Sequence, residues 1–291
     1  MGLGLFAAPK PFTGHVGVIQ RNAIISWTLI SPSPRIVLLG DEPGTRKICT
    51  ELNIDHIPLV ALNRQGTPLI SDIFAKAHMH LRTELMCYTN ADIIFFSDLA
   101  DILKSIRFDR FLLVGRRSDL DVSLPLDFTD PTWESQLRHR VATEAKLHAP
   151  TGIDFFGYPA GTLGDLPSFA VGRPGWDNYM IYGARTSRIP LIDATDSILA
   201  VHQNHDYSHV VGGLEEAWAG DEAKTNLRIA GNPAHWLDIR EATWSIRDGK
   251  LSRRRLWTSR RYWTVTLPAM NPRWASCLEL VRTILRRNQA D

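Results

Sequence analysis

The most informative segment of this 291-residue chain reads Leu85-Met-Cys-Tyr-Thr-Asn-Ala-Asp-Ile-Ile94. Its apolar run over residues 85–89 is typical of a buried strand, and the run stops at Asn90-Ala91-Asp92. Ligands of open α/β sheets bind beyond the carboxyl ends of the strands, where loops present polar groups. A carboxylate there can hold a divalent cation that bridges two phosphates. Asn and Asp also close strands as purely local turns, and on spacing alone the turn is favoured.

Strand patterns and helix patterns alternate on both sides of this segment. The strand patterns cover residues 35–40, 57–62, 110–115, 189–194 and 197–201. The helix patterns cover residues 43–53, 69–85, 99–106, 133–149 and 177–186. Residues 151–175 are rich in Gly, Pro and aromatics, and the pattern beyond 212 is irregular and helical. The alternation predicts an α/β domain with a mostly parallel central sheet and flanking helices.

The composition is that of an ordinary globular protein, with 44% hydrophobic and 22% charged residues. No run approaches the ~18 apolar residues that span a bilayer, and the first residues lack the pattern of a signal peptide. The three cysteines, Cys49, Cys87 and Cys277, are far apart, so neither a disulfide framework nor a zinc cluster is indicated. These features predict a cytoplasmic protein that can touch a membrane surface.

The net charge of +2 is unevenly distributed. Residues 250–291 contain ten Lys and Arg and two acids, a balance of +8, which leaves −6 for residues 1–249. We therefore predict one domain over residues 1–249 and a basic, aromatic extension over 250–291. Within the extension, residues 251–263 interleave Arg with Leu, Trp and Tyr, which suits an anionic membrane surface. A solvated face with a few packed aromatics is an equally good interpretation, and nothing else supports nucleic acid as a partner.

A second polar cluster precedes a helix pattern and reads Arg173-Pro-Gly-Trp-Asp-Asn178. Trp176 offers a flat apolar face that suits a sugar ring, and Asp177 beside it can remove a proton from a hydroxyl. Alternatively, Asp177 caps the helix and Trp176 packs in the core. The two interpretations are evenly matched.

A third cluster reads His202-Gln-Asn-His-Asp-Tyr-Ser-His209 and follows an apolar run that ends at Val201. Neutral imidazole is a common metal ligand and also donates hydrogen bonds to phosphate. On a strand, His202 and His205 would point to opposite faces, whereas a loop would let them converge. Because the cluster ends a buried-looking strand, a functional role is favoured over a polar surface loop with one structural histidine.

Three further residues at strand ends are weaker candidates. Asp41 follows the first strand pattern and suits a nucleobase or ribose hydroxyl, although it also suits a helix cap. Arg116 and Arg117 follow the pattern over 110–115 and can neutralise a diphosphate, but either one alone is more simply a solvated arginine. The chain lacks a Walker-type loop, a spaced-Gly fingerprint and a Gly-x-Ser-x-Gly elbow, which argues against kinases, dehydrogenases and hydrolases.

Five segments together resemble nucleotide-diphospho-sugar transferases of the GT-A fold, in particular bacterial glycosyltransferases. The resemblance covers most of residues 10–250 and is much more specific than any one segment. The segments are Gln20-Arg-Asn-Ala-Ile-Ile-Ser-Trp27, Val37-Leu-Leu-Gly-Asp-Glu42, Tyr88-Thr-Asn-Ala-Asp-Ile-Ile94, Ala170-Val-Gly-Arg-Pro-Gly-Trp-Asp-Asn178 and His202-Gln-Asn-His-Asp-Tyr-Ser-His209.

The resemblance implies transfer of a sugar from a nucleoside diphosphate sugar to a hydroxyl of a glycan or glycolipid, as in polysaccharide biosynthesis. In that family an Asp-x-Asp motif at a strand end binds a divalent metal and the donor diphosphate. Here Asn90-Ala91-Asp92 has that place, with Asn instead of the first Asp. Asp92 is therefore the implied ligand of Mn²⁺ or Mg²⁺, together with His205 or His202.

The family also places an acid in a Gly-rich turn that opens a helix near the acceptor. Asp177, between Trp176 and Asn178, resembles that acid and is the implied catalytic base. Two rival hypotheses stay open: a nucleotidyltransferase or sugar-nucleotide hydrolase on a similar sheet, and a nucleotide-sugar-binding protein without turnover. The sugar, the nucleotide, the acceptor and the stereochemical outcome are open as well.

Overall fold

A computed structural model describes residues 2–205, 213–231, 235–271 and 273–274. The strands are β1 Leu3–Ala7, β2 Arg35–Leu39, β3 Asp55–Ile57, β4 Leu85–Thr89, β5 Ile93–Ile94, β6 Leu112–Val114, β7 Arg117–Leu120, β8 Lys146–Leu147, β9 Phe155–Pro159, β10 Leu191–Asp193, β11 Ala200–Gln203, β12 Trp244–Arg247 and β13 Lys250–Arg253. The helices are α1 Gly14–Thr28, α2 Thr45–Leu52, α3 Ile70–Leu81, α4 Asp98–Ser105, α5 Trp133–Glu144, α6 Trp176–Thr186, α7 Gly213–Ala219, α8 Asp221–Ala230 and α9 Leu267–Met270.

Nine strands form one central sheet in the order β13-β12-β10-β6-β9-β4-β1-β2-β3. Strands β3, β2, β1 and β4 are parallel neighbours, and so are β6, β10 and β12. Strand β9 runs antiparallel between β4 and β6, and β13 runs antiparallel at one edge. The prediction of an α/β fold with a mostly parallel central sheet and flanking helices is confirmed.

The core has two layers, one on each face of the sheet. Along β4, Leu85 and Cys87 pack into one layer while Met86 and Tyr88 pack into the other. This alternation is the period of two that a strand imposes on its side chains. Trp27 of α1, a helix that the sequence analysis did not predict, belongs to the first layer, and Phe74 of the predicted helix α3 belongs to the second. Helices therefore cover both faces of the sheet.

Strand β9 lies within residues 151–175, where the sequence indicated no regular element. Its side chains are buried in the middle of the sheet, and Gly157 lies where an added Cβ would be 2.6 Å from Leu103 Cδ2. A prediction based on composition misses this strand, because it contains Gly157 and ends at Pro159, and both residue types are depleted in strands. The reversed direction of β9 puts its first residues at the edge where the parallel strands end.

Several predicted boundaries were wrong. The strand predicted over 57–62 is β3, which ends at Ile57 because Pro58 cannot donate to a ladder. The helix predicted over 69–85 ends at Leu81, where Arg82 takes a left-handed conformation with φ 47°. The helix predicted over 133–149 ends at Glu144, and β8 then pairs with β7.

A smaller sheet, β5-β11-β7-β8, extends beyond the carboxyl ends of the central strands. Strand β5 pairs antiparallel with β11, so that His202 is opposite Ile93. Strand β7 pairs parallel with β11, so that His202 is also opposite Asp119. These short pairings bring residues that are about a hundred positions apart in the chain to the same rim.

The hairpin of β12 and β13 extends the central sheet, although only irregular and helical structure was predicted beyond 212. The predicted boundary between residues 249 and 250 falls at the turn of this hairpin, where Asp248 and Gly249 have positive φ. The division into a domain and an extension stays a prediction. None of the helices in the described residues has both the length and the apolar character needed to cross a bilayer.

Candidate active site

A cleft of about 1100 Å³ opens at the edge where the parallel strands end. Lys10 follows β1, the segment 90–92 follows β4, and Asp154 precedes the antiparallel β9. The first residues of α6 and the rim of the small sheet complete its walls. Its position agrees with the rule that ligands of open α/β sheets bind beyond the carboxyl ends of the strands, and its volume suits a small-molecule site.

Asp92 lies at the bottom of the cleft and is only 5% exposed. Its Oδ2 is 3.5 Å from Lys10 Nζ and 3.2 Å from His205 Nε2, and the same Nζ is 3.2 Å from His205 Nε2. Its Oδ1 is buried and has no hydrogen-bond partner among the described residues. Burial alone would raise the pKa of Asp92, but Lys10 and the imidazoles of His205 and His202 together hold it well below its usual range. Asp92 is therefore a carboxylate.

His202 and His205 converge beside Asp92. Strand β11 ends at Gln203, so His205 lies in the following loop and is not forced to the opposite face. The two ring centroids are 5.5 Å apart, and one ligand atom from each histidine and from Asp92 lies within 4.8 Å of the others. Two imidazoles and one carboxylate, of which Oδ1 has no hydrogen-bond partner among the described residues, suit a divalent cation.

The residues behind this trio form a network that the sequence did not reveal. Asp119 lies 3.1 Å from His202 Nδ1 and 2.6 Å from His148 Nδ1, and its Oδ1 accepts a hydrogen bond from Arg117 Nε at 2.9 Å. Burial would raise the pKa of Asp119, but His202, His148 and Arg117 lower it well below its usual range. The contact with His202 is not a hydrogen bond, because His202 Nδ1 has no hydrogen-bond partner among the described residues, so Asp119 acts on this ring through its charge. One sequence feature could have indicated this network: Arg117 and Asp119 are two positions apart, and on a strand that spacing puts both side chains on one face.

Asp154 is a second buried acid that sequence reasoning missed. Its Oδ2 accepts a hydrogen bond from Arg117 Nη1 at 2.5 Å, and its Oδ1 accepts one from Asn90 Nδ2. Asn90 also accepts a hydrogen bond from Tyr88 Oη at 3.3 Å. Asn90 thus holds the turn after β4 in place through Asp154, and this contact is independent of any cation.

Asp177 lies in the first turn of α6 and lines the cleft. Gly175 is the N-cap, and its φ of 99° is a conformation that favours glycine. The cap interpretation of Asp177 is therefore wrong. Burial, reinforced by the charge of Asp154, raises the pKa of Asp177 to about 7, although the backbone N–H of Asn178 lowers it.

The neighbours of Asp177 have different surroundings. Trp176 is 5% exposed, packs edge-on against Tyr88 with ring centroids 5.2 Å apart, and also lines the cleft. Asn178 points into the core and donates a hydrogen bond to the Leu237 carbonyl at 2.9 Å. The interpretation that Trp176 packs in the core is confirmed, and only its small exposed fraction lines the cleft, whereas Asn178 supports the helix.

Three predicted candidates lie in different places. Arg117 lines the cleft, but it is held in ion pairs with Asp119 and Asp154. Arg116 is not among the described residues that line the cleft. Its Nε donates a hydrogen bond to the His148 carbonyl at 2.6 Å. Asp41 is an exposed residue 4.0 Å from Arg46 and is also outside that lining. The predicted residues 206–209 lie outside the described part of the chain.

No protein-family model matches the chain, and no curated protein matches it. Among solved structures, TarS 1-349 of S. aureus is 11% identical over 42% of this chain and 37% of that chain, with a TM-score of 0.32. Glucosyl-3-phosphoglycerate synthase from Mycobacterium tuberculosis, in complex with Mn²⁺, uridine diphosphate and phosphoglyceric acid, is 12% identical over 70% of this chain and 71% of that chain, with a TM-score of 0.42. The chain spans little more than a third of the TarS structure.

Proposed function

We propose that this chain is a glycosyltransferase that moves a sugar from a nucleoside diphosphate sugar to a hydroxyl acceptor. One observation carries the proposal: a cluster suited to a cation and an aspartate with a pKa of about 7 line the same cleft. The first feature would bind a donor diphosphate, and the second would accept the proton of a hydroxyl nucleophile. Asp92 and Asp177 are the residues on which the proposal depends.

The donor diphosphate would bind between the turn after β4 and the small sheet. Asp92, His202 and His205 would hold Mn²⁺ or Mg²⁺, which when bound offsets negative charge on the departing diphosphate. Lys10 is 30% exposed, so its ammonium is free to turn from Asp92 towards a phosphate. Asn90 and Ala91 would shape the turn against the donor, while Arg117 keeps the carboxylates of the wall in place.

Asp177 would act on the acceptor. If the reaction inverts configuration, its carboxylate takes the proton of the acceptor hydroxyl as that oxygen bonds to the anomeric carbon. The bond from that carbon to the diphosphate oxygen breaks, and the nucleoside diphosphate leaves with the electron pair. A base with a pKa near 7 suits this step at neutral pH, because enough of it is ionised and it still binds the proton. If configuration is retained, Asp177 would position the acceptor.

The test is a product assay with a panel of nucleoside diphosphate sugars, Mn²⁺, and glycan or lipid extracts as acceptors. We expect one donor to give nucleoside diphosphate only when an acceptor is present, and Asp177→Asn to lower the rate by about 10²-fold or more. The exposed Asp165→Asn, outside the described lining of the cleft, is the matched control and should keep full activity.

Each other outcome favours a different hypothesis. Release of free sugar without an acceptor would indicate a hydrolase, and binding of a donor without any product would indicate a binding protein. An Asp177→Asn variant with unchanged turnover would remove Asp177 from the mechanism.

A further inference from the structure

The C-terminal basic segment, residues 250–274, is fixed to the body of the protein through buried acids. Arg261 Nε donates to Glu241 Oε1 at 2.6 Å, and Arg261 Nη2 donates to Asp238 Oδ2 at 3.0 Å. Asp238 and Glu241 are 2% and 1% exposed, so these are anchoring contacts and not surface ion pairs. Arg254 adds a contact of 3.5 Å to Asp193. The segment is therefore more than a solvated tail.

Although it is anchored, the segment leaves three indoles in contact with solvent. Trp257, Trp263 and Trp274 are 53%, 44% and 38% exposed. They adjoin one another: Trp263 Nε1 donates to the Trp257 carbonyl at 2.8 Å, and the rings of Trp263 and Trp274 are 6.0 Å apart. We call these three residues the tryptophan cluster. Single exposed apolar residues are ordinary, but a cluster of large ones marks a contact surface.

The charge of the segment narrows the choice of partner. Residues 250–274 contain seven Lys and Arg and no acid. Arg253, Arg255, Arg260 and Arg273 are exposed, and none of them has an ion pair with a described residue. A partner for this surface must therefore be anionic and must also accept indole rings.

We propose that the C-terminal basic segment docks on an anionic lipid bilayer. Tryptophan is enriched at the interface of membranes, where one end of the ring is apolar and the other is wet. Guanidinium groups are drawn to the negative surface potential of anionic lipids. A nucleic acid would satisfy the arginines through its phosphates, but a duplex would leave the tryptophan cluster in water. The proposal is independent of the proposed function, because it concerns binding and not turnover.

The test is co-sedimentation of the full chain with vesicles of phosphatidylcholine, with and without phosphatidylglycerol. We expect binding at low salt only to the anionic vesicles, and weaker binding as salt is raised. Replacing Arg253, Arg255 and Arg260 by Gln should weaken binding about 100-fold, because each basic residue near an anionic surface contributes a factor of about five. The control replaces the exposed body arginines Arg64, Arg82 and Arg228 by Gln, which removes the same charge and should have little effect.

A second pair of variants tests the indoles. The double variant Trp257→Ala and Trp263→Ala should weaken binding about tenfold or more, whereas Trp218→Ala, which removes an exposed tryptophan outside the segment, should not. Tryptophan fluorescence should shift to the blue when anionic vesicles are added. Absence of binding at low salt, equal loss in the arginine control, or equally tight binding to a single-stranded oligonucleotide would overturn the proposal.

Discussion

Replacing Asp177 by Asn should stabilise the fold while it removes activity, and the gain should depend on pH. Burial raises the pKa of this carboxyl from 3.8 to about 7 in the folded protein. The folded state therefore favours the neutral acid, so stability is lost as pH rises from about 4 through about 7. A difference of about three pKa units at about 1.4 kcal/mol each sets an upper limit of about 4 kcal/mol at pH 8, and the partial exposure of Asp177 in the cleft lowers the expected value. Asn has a similar shape and carries no charge at any pH.

The free energy of unfolding of both proteins should be measured by urea titration at several pH values between about 4 and 8. Asp177→Asn should exceed the wild type by an amount that grows with pH and levels off above about 7. Asp165→Asn, an exposed aspartate of the surface, controls for the loss of one carboxyl group. A difference between the wild type and Asp177→Asn that stays constant across this range would refute the idea that burial holds Asp177 neutral.

Other predictions concern the same cleft. In steady-state assays kcat/KM should rise with pH through a midpoint near 7, as Asp177 becomes the carboxylate, and a profile flat from pH 6 to 8 would contradict its role as base. By calorimetry, Asp92→Asn should weaken Mn²⁺ binding about tenfold or more. Lys10→Met should tighten Mn²⁺ binding in the absence of nucleotide, because the Lys10 ammonium competes for Asp92 Oδ2 at 3.5 Å, and unchanged affinity would argue against that competition. Asp154→Ala should cost about 1.5 kcal/mol in urea titrations because Arg117 loses one of its two carboxylate partners and keeps Asp119, and no loss would show that the Asp154 ion pair is dispensable.

The sequence was sufficient for the parts of the fold that depend on local pattern. Runs of apolar residues such as 35–40 and 85–89 are long enough to identify buried strands, and the helix over 177–186 has clear spacing. It was not sufficient for β9, since Gly157 and Pro159 disguise a strand that is stabilised by its central position in the sheet. The direction of a strand is a tertiary property that no local pattern encodes.

The candidate site shows the same division. Asp92 and Asp177 follow recognisable local patterns, and both line the cleft. Asp154 immediately precedes β9, and it reaches the carboxyl edge of the parallel strands only because β9 runs antiparallel to them. Asp154 was missed because the sequence does not encode this direction. Asp119 was missed because its contact with His202 depends on the pairing of β7 with β11, about eighty residues later in the chain.

Calorimetric titration of nucleoside diphosphates tests the central claim most directly, namely that Asp92 and its histidines hold a cation and a diphosphate in the cleft. Uridine, guanosine, adenosine, cytidine and thymidine diphosphates should be titrated into the wild type and Asp92→Asn, with and without Mn²⁺. We predict that at least one of them binds the wild type much more tightly with Mn²⁺, and that Asp92→Asn loses this gain. Failure of every nucleotide to bind, or equal binding to both proteins, would contradict the account.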